Sequence, residues 1–321
     1  MDDGTLTKRQ CNESRLPHRW RHVSFTKRMT AGGIGLTTAL ALLQSGFKHV
    51  RVVADKFDAT TSHVTGGLWV SFALPDGIDT SRPRKWCAVT YTWLDTLRKE
   101  KGERLGIHIV PGVDMSARWS AANDEPFMLW LHEEVAKQGG TFEQRRVISL
   151  DEEQCDLLVN CSGLAAKELA GYDTVFPFRC QIINVFHSKP NEPKVSVDKD
   201  GQHAYIIPRP DGDVVLGETV QEHNWSTKNK DDDVDGVWER CCRLWPEVRN
   251  SKVIDKMAGL RPGRTGGVRL EMQATATKQK AVVVHNYGHE GSGHTLHWSC
   301  AQDVAKLAKQ RFKLKAENVL R

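Results

Sequence analysis

The sequence predicts an α/β fold, and three observations carry that reading. A glycine-rich turn, Ala31-Gly32-Gly33-Ile34-Gly35, runs directly into an apolar helix and then a short strand. Two uninterrupted apolar runs, Leu157-Leu158-Val159 and Ala281-Val282-Val283-Val284, have the texture of strands buried on both faces of a parallel sheet. From Arg179 onward, short β-rich runs alternate with turn residues, which points to antiparallel structure.

The first 29 residues are polar, basic around His18 to His22 and without a clear period, so they read as an atypical solvated segment. Asp2, Asp3 and Glu13 argue against a transit peptide. The strand expected before the glycine turn covers His22 to Met29. A buried parallel strand is nearly all apolar, and Lys27-Arg28 violate that expectation. Thr30 stands at the first glycine position of the turn. Ile34 to Ser45 reads as a helix weighted by Leu36, Leu40, Leu42 and Leu43, with Gly46 where a C′ glycine belongs. Val50 to Val53 follow as a strand leading into Ala54-Asp55. Such a unit has a physical logic: glycines let a helix N-terminus approach a pyrophosphate, and an acid after the next strand can hold a ribose hydroxyl.

Thr60-Thr61-Ser62-His63-Val64-Thr65-Gly66-Gly67-Leu68-Trp69 is hydroxyl-rich and then glycine-rich, a composition that suits a phosphate-binding loop and equally a plain turn cluster. Arg84 to Lys101 reads as a helix whose stripe is Trp86, Val89, Trp93, Leu94 and Leu97. Pro126 opens a third helix through Val135 that ends at Gly139-Gly140. Asp156 to Gly163 is a buried strand ending in a polar turn, at the carboxyl edge of the sheet where ligands collect. Gln181 to Phe186, Ala204 to Ile207 and Asp213 to Leu216 are antiparallel strands, broken by turns such as Pro210-Asp211-Gly212. The apolar run at Ala281 leads into Tyr287-Gly288-His289-Glu290-Gly291-Ser292-Gly293-His294-Thr295, and Ala301 to Phe312 closes the chain as a helix packed through Val304, Leu307, Ala308 and Phe312.

At 321 residues, 39% hydrophobic and 26% charged, the chain is an ordinary globular protein able to bury one large core or two linked ones. Its longest apolar stretches, Ala39 to Leu43 and Phe127 to Leu131, are far too short to cross a bilayer. A net charge of +5 spread over the chain gives no reason to invoke nucleic acid. The cysteines at positions 11, 87, 155, 161, 180, 241, 242 and 300 lack paired metal spacing, and no secretory signal opens the chain, which fits a reducing intracellular compartment. His285, His289, His294 and His297 match no zinc spacing, so no metal is expected.

Ala258-Gly259-Leu260-Arg261-Pro262-Gly263-Arg264, Gly267-Val268-Arg269-Leu270-Glu271 and His285-Asn286-Tyr287-Gly288-His289 with Leu296-His297-Trp298 form an ordered series. Ala54-Asp55-Lys56-Phe57, Gly67-Leu68-Trp69, Asn160-Cys161-Ser162-Gly163, Tyr205-Ile206-Ile207-Pro208 and Cys241-Cys242-Arg243-Leu244 extend it. Together they resemble the flavin-dependent D-amino-acid oxidase and D-aspartate oxidase family, with gaps, from Ala31 to the last helix. The resemblance implies a Rossmann-like FAD-binding domain with a second, mostly antiparallel β substrate domain. The expected FAD-binding parts are 30–80, 141–180 and 262–321; the substrate parts are 81–140 and 181–261. It implies FAD as cofactor, a small-molecule D-amino acid and O2 as substrates, no nucleic-acid or membrane partner, and a monomer or homodimer. The expected cofactor contacts are Gly32, Ile34, Gly35, Asp55, Lys56, Thr60, Thr61, Ser62, Gly67, Leu68, Ser162, Gly291, Ser292, Gly293 and Thr295.

In the same resemblance Arg261 matches the arginine that clamps the substrate carboxylate, since a planar fork pairs both oxygens. Tyr205 matches a tyrosine that adds a hydrogen bond to that carboxylate, and Gly291 lies where a backbone carbonyl faces the amine. The family removes a hydride from Cα, so positioning rather than a side-chain base carries the catalysis. Four departures accompany the match. Thr30 replaces a glycine, Glu290 replaces another, a short Ser116 to Glu125 link stands for several dozen residues, and Asn318-Val319-Leu320-Arg321 is no peroxisomal tripeptide. A peroxisome is the setting the family implies, with cytoplasm as the alternative. The departures keep a second reading open: a catalytically impaired relative with the flavoprotein fold, or the product of an incomplete gene model or splice variant. Substrate type is also open between D-aspartate and neutral D-amino acids: Asn160-Cys161-Ser162-Gly163-Leu164, Leu169-Ala170-Gly171 and Gly259-Leu260-Arg261-Pro262 resemble the D-aspartate branch more closely. Val220 follows Gly217-Glu218-Thr219 where acidic-substrate oxidases carry a second arginine, Gly201 stands where the neutral branch has a lid tyrosine, and Arg209 or Lys228 could compensate.

Overall fold

A six-stranded sheet is assembled around the glycine turn. Its strands are β1 (Val23–Lys27), β2 (Val50–Ala54), β6 (Thr141–Gln144), β7 (Leu157–Asn160), β14 (Arg269–Met272) and β15 (Val282–Tyr287), in the order β14-β15-β7-β1-β2-β6. All neighbours are parallel except β14 with β15. The structure, a computed structural model, describes residues 23–27, 31–58, 60–63, 66–69, 81–109, 119–121, 124–171, 174–188, 192–209 and 212–318. Thr30, Arg28 and most of the atypical N-terminal segment lie outside these residues.

The expectation that a lysine spoils the first strand is corrected. The backbone of Val23–Lys27 forms the strand between β2 and β7, with Val23 opposite both Val50 and Leu157. Ladder pairing on both edges satisfies the backbone groups, and this outweighs the local propensity of one terminal residue. Helix α1 (Gly33–Gln44) follows the glycine turn as the sequence predicts. It ends in a Schellman motif: Phe47 N–H donates to Leu42 O and Gly46 N–H to Leu43 O, with Gly46 at φ 90°. Leu36, Leu40 and Leu42 are buried, each contributing about 1.5–3 kcal/mol of apolar transfer.

The parallel core strands β7 and β15 are buried throughout, the outcome their apolar runs predict. Helices α2 (Ser81–Lys101) and α3 (Asp124–Lys137) share one core with α1, with this sheet and with α6 (Gly293–Asn318). Sequence reading grouped residues 81–140 with the substrate side. Trp86, Leu94, Leu97, Phe127 and Leu131 instead pack with Leu36, Leu40 and Trp298, because their apolar stripes face α1 and α6. Trp93 stacks on Trp298 with ring centroids 4.2 Å apart. Helix α6 begins eight residues earlier than expected, at Gly293 rather than Ala301.

The second sheet contains β8 (Val175–Phe186), β9 (Lys194–Val197), β10 (His203–Pro208), β11 (Asp213–Gly217), β12 (Gln221–Glu222) and β13 (Lys252–Arg264). Its order is β12-β8-β11-β10-β9, with β13 along the other edge of β8, and every pair is antiparallel. The short helix α4 (Ala166–Leu169) leads from the first sheet into β8, and helix α5 (Asp231–Leu244) covers the second sheet, burying Val234, Val237, Cys241 and Cys242 against Ile183, Ile206 and Leu216. A small third sheet orders β3 (Leu68–Trp69), β5 (Trp119–Ala121) and β4 (Ile107–Ile109) as β3-β5-β4, so part of the short link after Met115 is its middle strand. No described helix is long and apolar enough to cross a membrane.

Candidate active site

A cavity of about 350 Å³ opens where the carboxyl ends of the first sheet meet the second sheet. Helix α1 points its N-terminus at it: Gly32 is the N-cap and supplies no side-chain cap. The first-turn N–H groups and the helix dipole make this end an anion-binding position. Gly32 and Ile34 line the cavity; Gly35 does not, and packs 3.9 Å from Cys161 Cβ when a Cβ is built on it.

The hydroxyl turn expected to face a phosphate does border the cavity through Thr60, Thr61 and Ser62. Ser62 Oγ accepts the Gly33 N–H at 3.0 Å, and Thr60 Oγ1 accepts the Ser62 N–H at 3.1 Å. Thr61 Oγ1 donates to Leu260 O at 3.1 Å and so joins this turn to β13. Gly67 and Leu68 continue the wall. Asp55 follows β2 half-buried, and Lys56 is exposed with its carbonyl accepting the Ala31 N–H at 2.6 Å; neither lines the cavity.

At the β7 exit, Asn160 Oδ1 accepts the Ser162 N–H at 3.1 Å, which fixes the turn into Gly163. Ser162 Oγ and Asn286 Oδ1 are buried on the cavity wall and have no hydrogen-bond partner among the described residues. Buried polar atoms are normally paired, so these two point to a polar occupant. Gly291 and Gly293 also line the cavity, whereas Ser292 and Thr295 are buried behind it.

The other end of the cavity is a charged cluster. Arg261 stands on β13, in register with Phe178 on β8. Its Nη2 donates to Glu218 Oε2, and the Tyr205 hydroxyl lies 3.5 Å from the same oxygen. Glu218 is 3% exposed, and the Arg261 side chain 18%. Burial alone would favour loss of the Arg261 proton, but the adjacent carboxylate outweighs it and holds the guanidinium charged. Burial, then Glu218, pushes the Tyr205 hydroxyl well above its ordinary value, so it stays protonated and able to donate. Burial also takes the Cys180 thiol up to about 12, which leaves it an inert neighbour of the cluster.

Glu290 lines the cavity from the turn preceding α6, at φ 50°. A non-glycine residue in that region costs on the order of 1 kcal/mol and is held there by its surroundings. Burial raises its pKa, while Arg261 opposes that rise. Cavity residues that escaped the sequence reading as binding groups include Asn286, Glu218 and His203. Glu218 is a single acid in a turn with no periodicity, and its partner Arg261 is 43 residues away. His203 begins β10, where nothing in the pattern marks it. Arg209 and Lys228 do not border the cavity, so neither replaces the missing second arginine there; Val220 is 41% exposed.

The geometry agrees with the similarity to known proteins. Residues 111–307 match the family model described as FAD dependent oxidoreductase. The D-amino-acid oxidase of Rubrobacter xylanophilus is 35% identical over 319 residues, covering 86% of this chain and 93% of that protein. The chain belongs to this FAD dependent oxidoreductase family. Human D-aspartate oxidase is 28% identical, over 87% of this chain and 93% of its own length. Among solved structures, the glycine oxidase of Bacillus cereus aligns at TM-score 0.72 with 16% identity, over 91% of this chain and 95% of that one, a likeness of fold. FAD is the cofactor of the family. The residues present fit it: a glycine helix N-terminus, three hydroxyl side chains, and the buried Ser162 Oγ and Asn286 Oδ1 wanting partners on the same cavity wall.

Proposed function

We propose that this chain oxidatively deaminates D-amino acids, converting a D-amino acid, O2 and water to a 2-oxo acid, ammonia and hydrogen peroxide. The observation that carries the proposal is the charged, half-buried Arg261 guanidinium in one cluster with the Tyr205 hydroxyl, facing the same cavity as the glycine helix N-terminus. FAD, when bound, supplies the two-electron acceptor and returns the electrons to O2.

The chain's own residues do the positioning. Gly32, Ile34, Thr60, Thr61 and Ser62 are the proposed pyrophosphate side of the cavity, with Ser162, Leu68, Gly67 and Gly293 along its length. Asp55, immediately after β2, is the proposed ribose partner, and Gly35, Lys56, Ser292 and Thr295 serve as support behind the wall. Arg261 binds the substrate carboxylate through its planar fork, and the protonated Tyr205 hydroxyl donates a further hydrogen bond. The Gly291 carbonyl is the proposed acceptor for the α-amine. Held at both ends, the substrate presents Cα in a single orientation, which is where the rate gain arises. A peroxisome, which disposes of peroxide, is the proposed setting.

The test is direct. The purified chain is expected to carry a flavin absorbance spectrum and to release peroxide from D-alanine or other D-amino acids, and not from the L-enantiomers. A folded, colourless protein releasing no peroxide overturns the proposal.

A further inference from the structure

Arg261 is the only lysine or arginine among the described residues lining the cavity, and it is already paired. Glu218 reaches it from the turn after β11, and Glu290 comes to the same neighbourhood from the turn before α6. The remaining titratable groups on the wall are Cys161, His203, Tyr205, Tyr287, His289 and His294, with Cys180 and Glu222 near the two glutamates from behind. The cavity that should receive a negatively charged carboxylate therefore carries two acids around its single permanent cation.

We propose that Glu218, seconded by Glu290, makes this site select D-amino acids with a cationic side chain, an ammonium or guanidinium, over acidic ones. The inference rests on the reading of the cavity as a D-amino-acid site. Charge balance drives it. Arg261 contributes one positive charge, while Glu218 and the substrate α-carboxylate contribute two negative ones. Removal of hydride from Cα draws on the amine lone pair, so the reacting α-amine is uncharged and does not restore neutrality. A cationic side chain restores it. A side-chain carboxylate enlarges the excess, and uncompensated charge in a cavity screened from water is strongly unfavourable. Burial raises the pKa of Glu290, and Arg261, the cation it shares with Glu218, opposes that rise, so Glu290 is the lesser acid of the two.

The holoenzyme is assayed with D-arginine, its uncharged isostere D-citrulline, D-alanine and D-aspartate. Wild type is expected to favour D-arginine over D-citrulline by roughly tenfold or more in kcat/KM, and to disfavour D-aspartate further, as charge recognition in a buried site requires. In Glu218→Gln the D-arginine to D-citrulline ratio is expected to fall toward one whatever the absolute rates, with a smaller fall in Glu290→Gln. Binding of the same pair, read from the perturbed flavin spectrum, should follow the same ratio. A wild-type ratio of one or below, a preference for D-aspartate over D-citrulline, or an unchanged ratio in Glu218→Gln overturns the inference while leaving the oxidase reading intact. If Glu218→Gln does not load flavin, the wild-type panel and Glu290→Gln decide. Failure of all four substrates instead overturns the oxidase reading, and this inference with it.

Discussion

Arg179 Nη1 and Asp233 Oδ2 meet at 2.7 Å, and the arginine side chain is wholly buried. The same guanidinium donates through Nε to Ser226 O at 3.0 Å, through Nη1 to Gln221 Oε1 at 2.9 Å, and through Nη2 to Gln181 Oε1 at 2.5 Å and to Lys228 O at 2.7 Å. One side chain thus ties β8, β12, the loop before α5 and the acidic first turn of α5 together. That loop carries Thr227, and the turn just before β12 carries Glu218, both on the cavity wall.

Arg179→Met is expected to destabilise the fold by about 3–5 kcal/mol, because it strands Asp233 and two carbonyls that now share a buried cation. Arg179→Lys should recover part of that loss, since an ammonium cannot reach five acceptors in a fixed fork. Urea unfolding of the three proteins checks the order. Equal stability of wild type and Arg179→Met would rule out the hub.

Arg261→Lys and Arg261→Met separate charge from geometry. The methionine variant should lose roughly a hundredfold or more in kcat/KM while retaining its flavin spectrum, and the lysine variant should fall between, because only the planar fork pairs both carboxylate oxygens. Tyr205→Phe removes one neutral hydrogen bond, worth about 0.5–1.5 kcal/mol, so it should cost roughly tenfold or less. Steady-state peroxide assays with flavin quantified per chain read all three.

How much of this was written in the sequence varies with the kind of signal. The runs at Leu157 and Val282 were legible because a strand buried on both faces is apolar without interruption. Gly46 announced the end of α1 because a Schellman motif needs φ above zero there. Strand β13 was read as a motif and not as a strand: its first half, Lys252 to Lys256, is exposed and carries three charges in five residues, and only the ladder to β8 makes it β-structure. The start of α6 was hidden by Gly291-Ser292-Gly293, which locally resembles a loop. Glu218 was invisible as a cavity group because its environment comes from residues of other strands, and no local pattern encodes that.

His285 supplies a pH test of stability. It is fully buried, with Nδ1 at 3.2 Å from Asn160 Nδ2 and Nε2 at 3.0 Å from Gln273 Oε1. Burial, with Arg269 adding to it, holds its pKa down to about 4 from an ordinary 6.5. The folded state therefore resists a proton that the unfolded chain accepts. Stability is unaffected above about pH 6.5 and falls as pH drops from there toward 4, by up to about 3 kcal/mol. His285→Gln should flatten that decline, which urea midpoints at pH 7.5 and pH 4.5 measure; a parallel decline in both proteins would assign the acid sensitivity elsewhere.

Two glycines against the same cluster should behave differently when given a methyl group. A Cβ on Gly217 would lie 2.1 Å from Tyr205 Cζ and 2.4 Å from its hydroxyl oxygen, while one on Gly66 would lie 2.7 Å from the terminal Cδ1 of Ile207 and 3.5 Å from the Tyr205 hydroxyl. A phenol ring pinned in a sheet has no small adjustment available, but an isoleucine end can change rotamer. Gly217→Ala is therefore expected to cost about 1–3 kcal/mol and to move the Tyr205 hydroxyl off Glu218, raising KM. Gly66→Ala should cost less and raise KM less, because its closest contact is a movable isoleucine tip and the Tyr205 ring stays at ordinary contact distance. Thermal unfolding and KM for a D-amino acid, measured on both variants, check the contrast. Equal penalties in the two would mean that the ring yields as easily as the aliphatic tip, and that Gly217 does not set where Tyr205 stands.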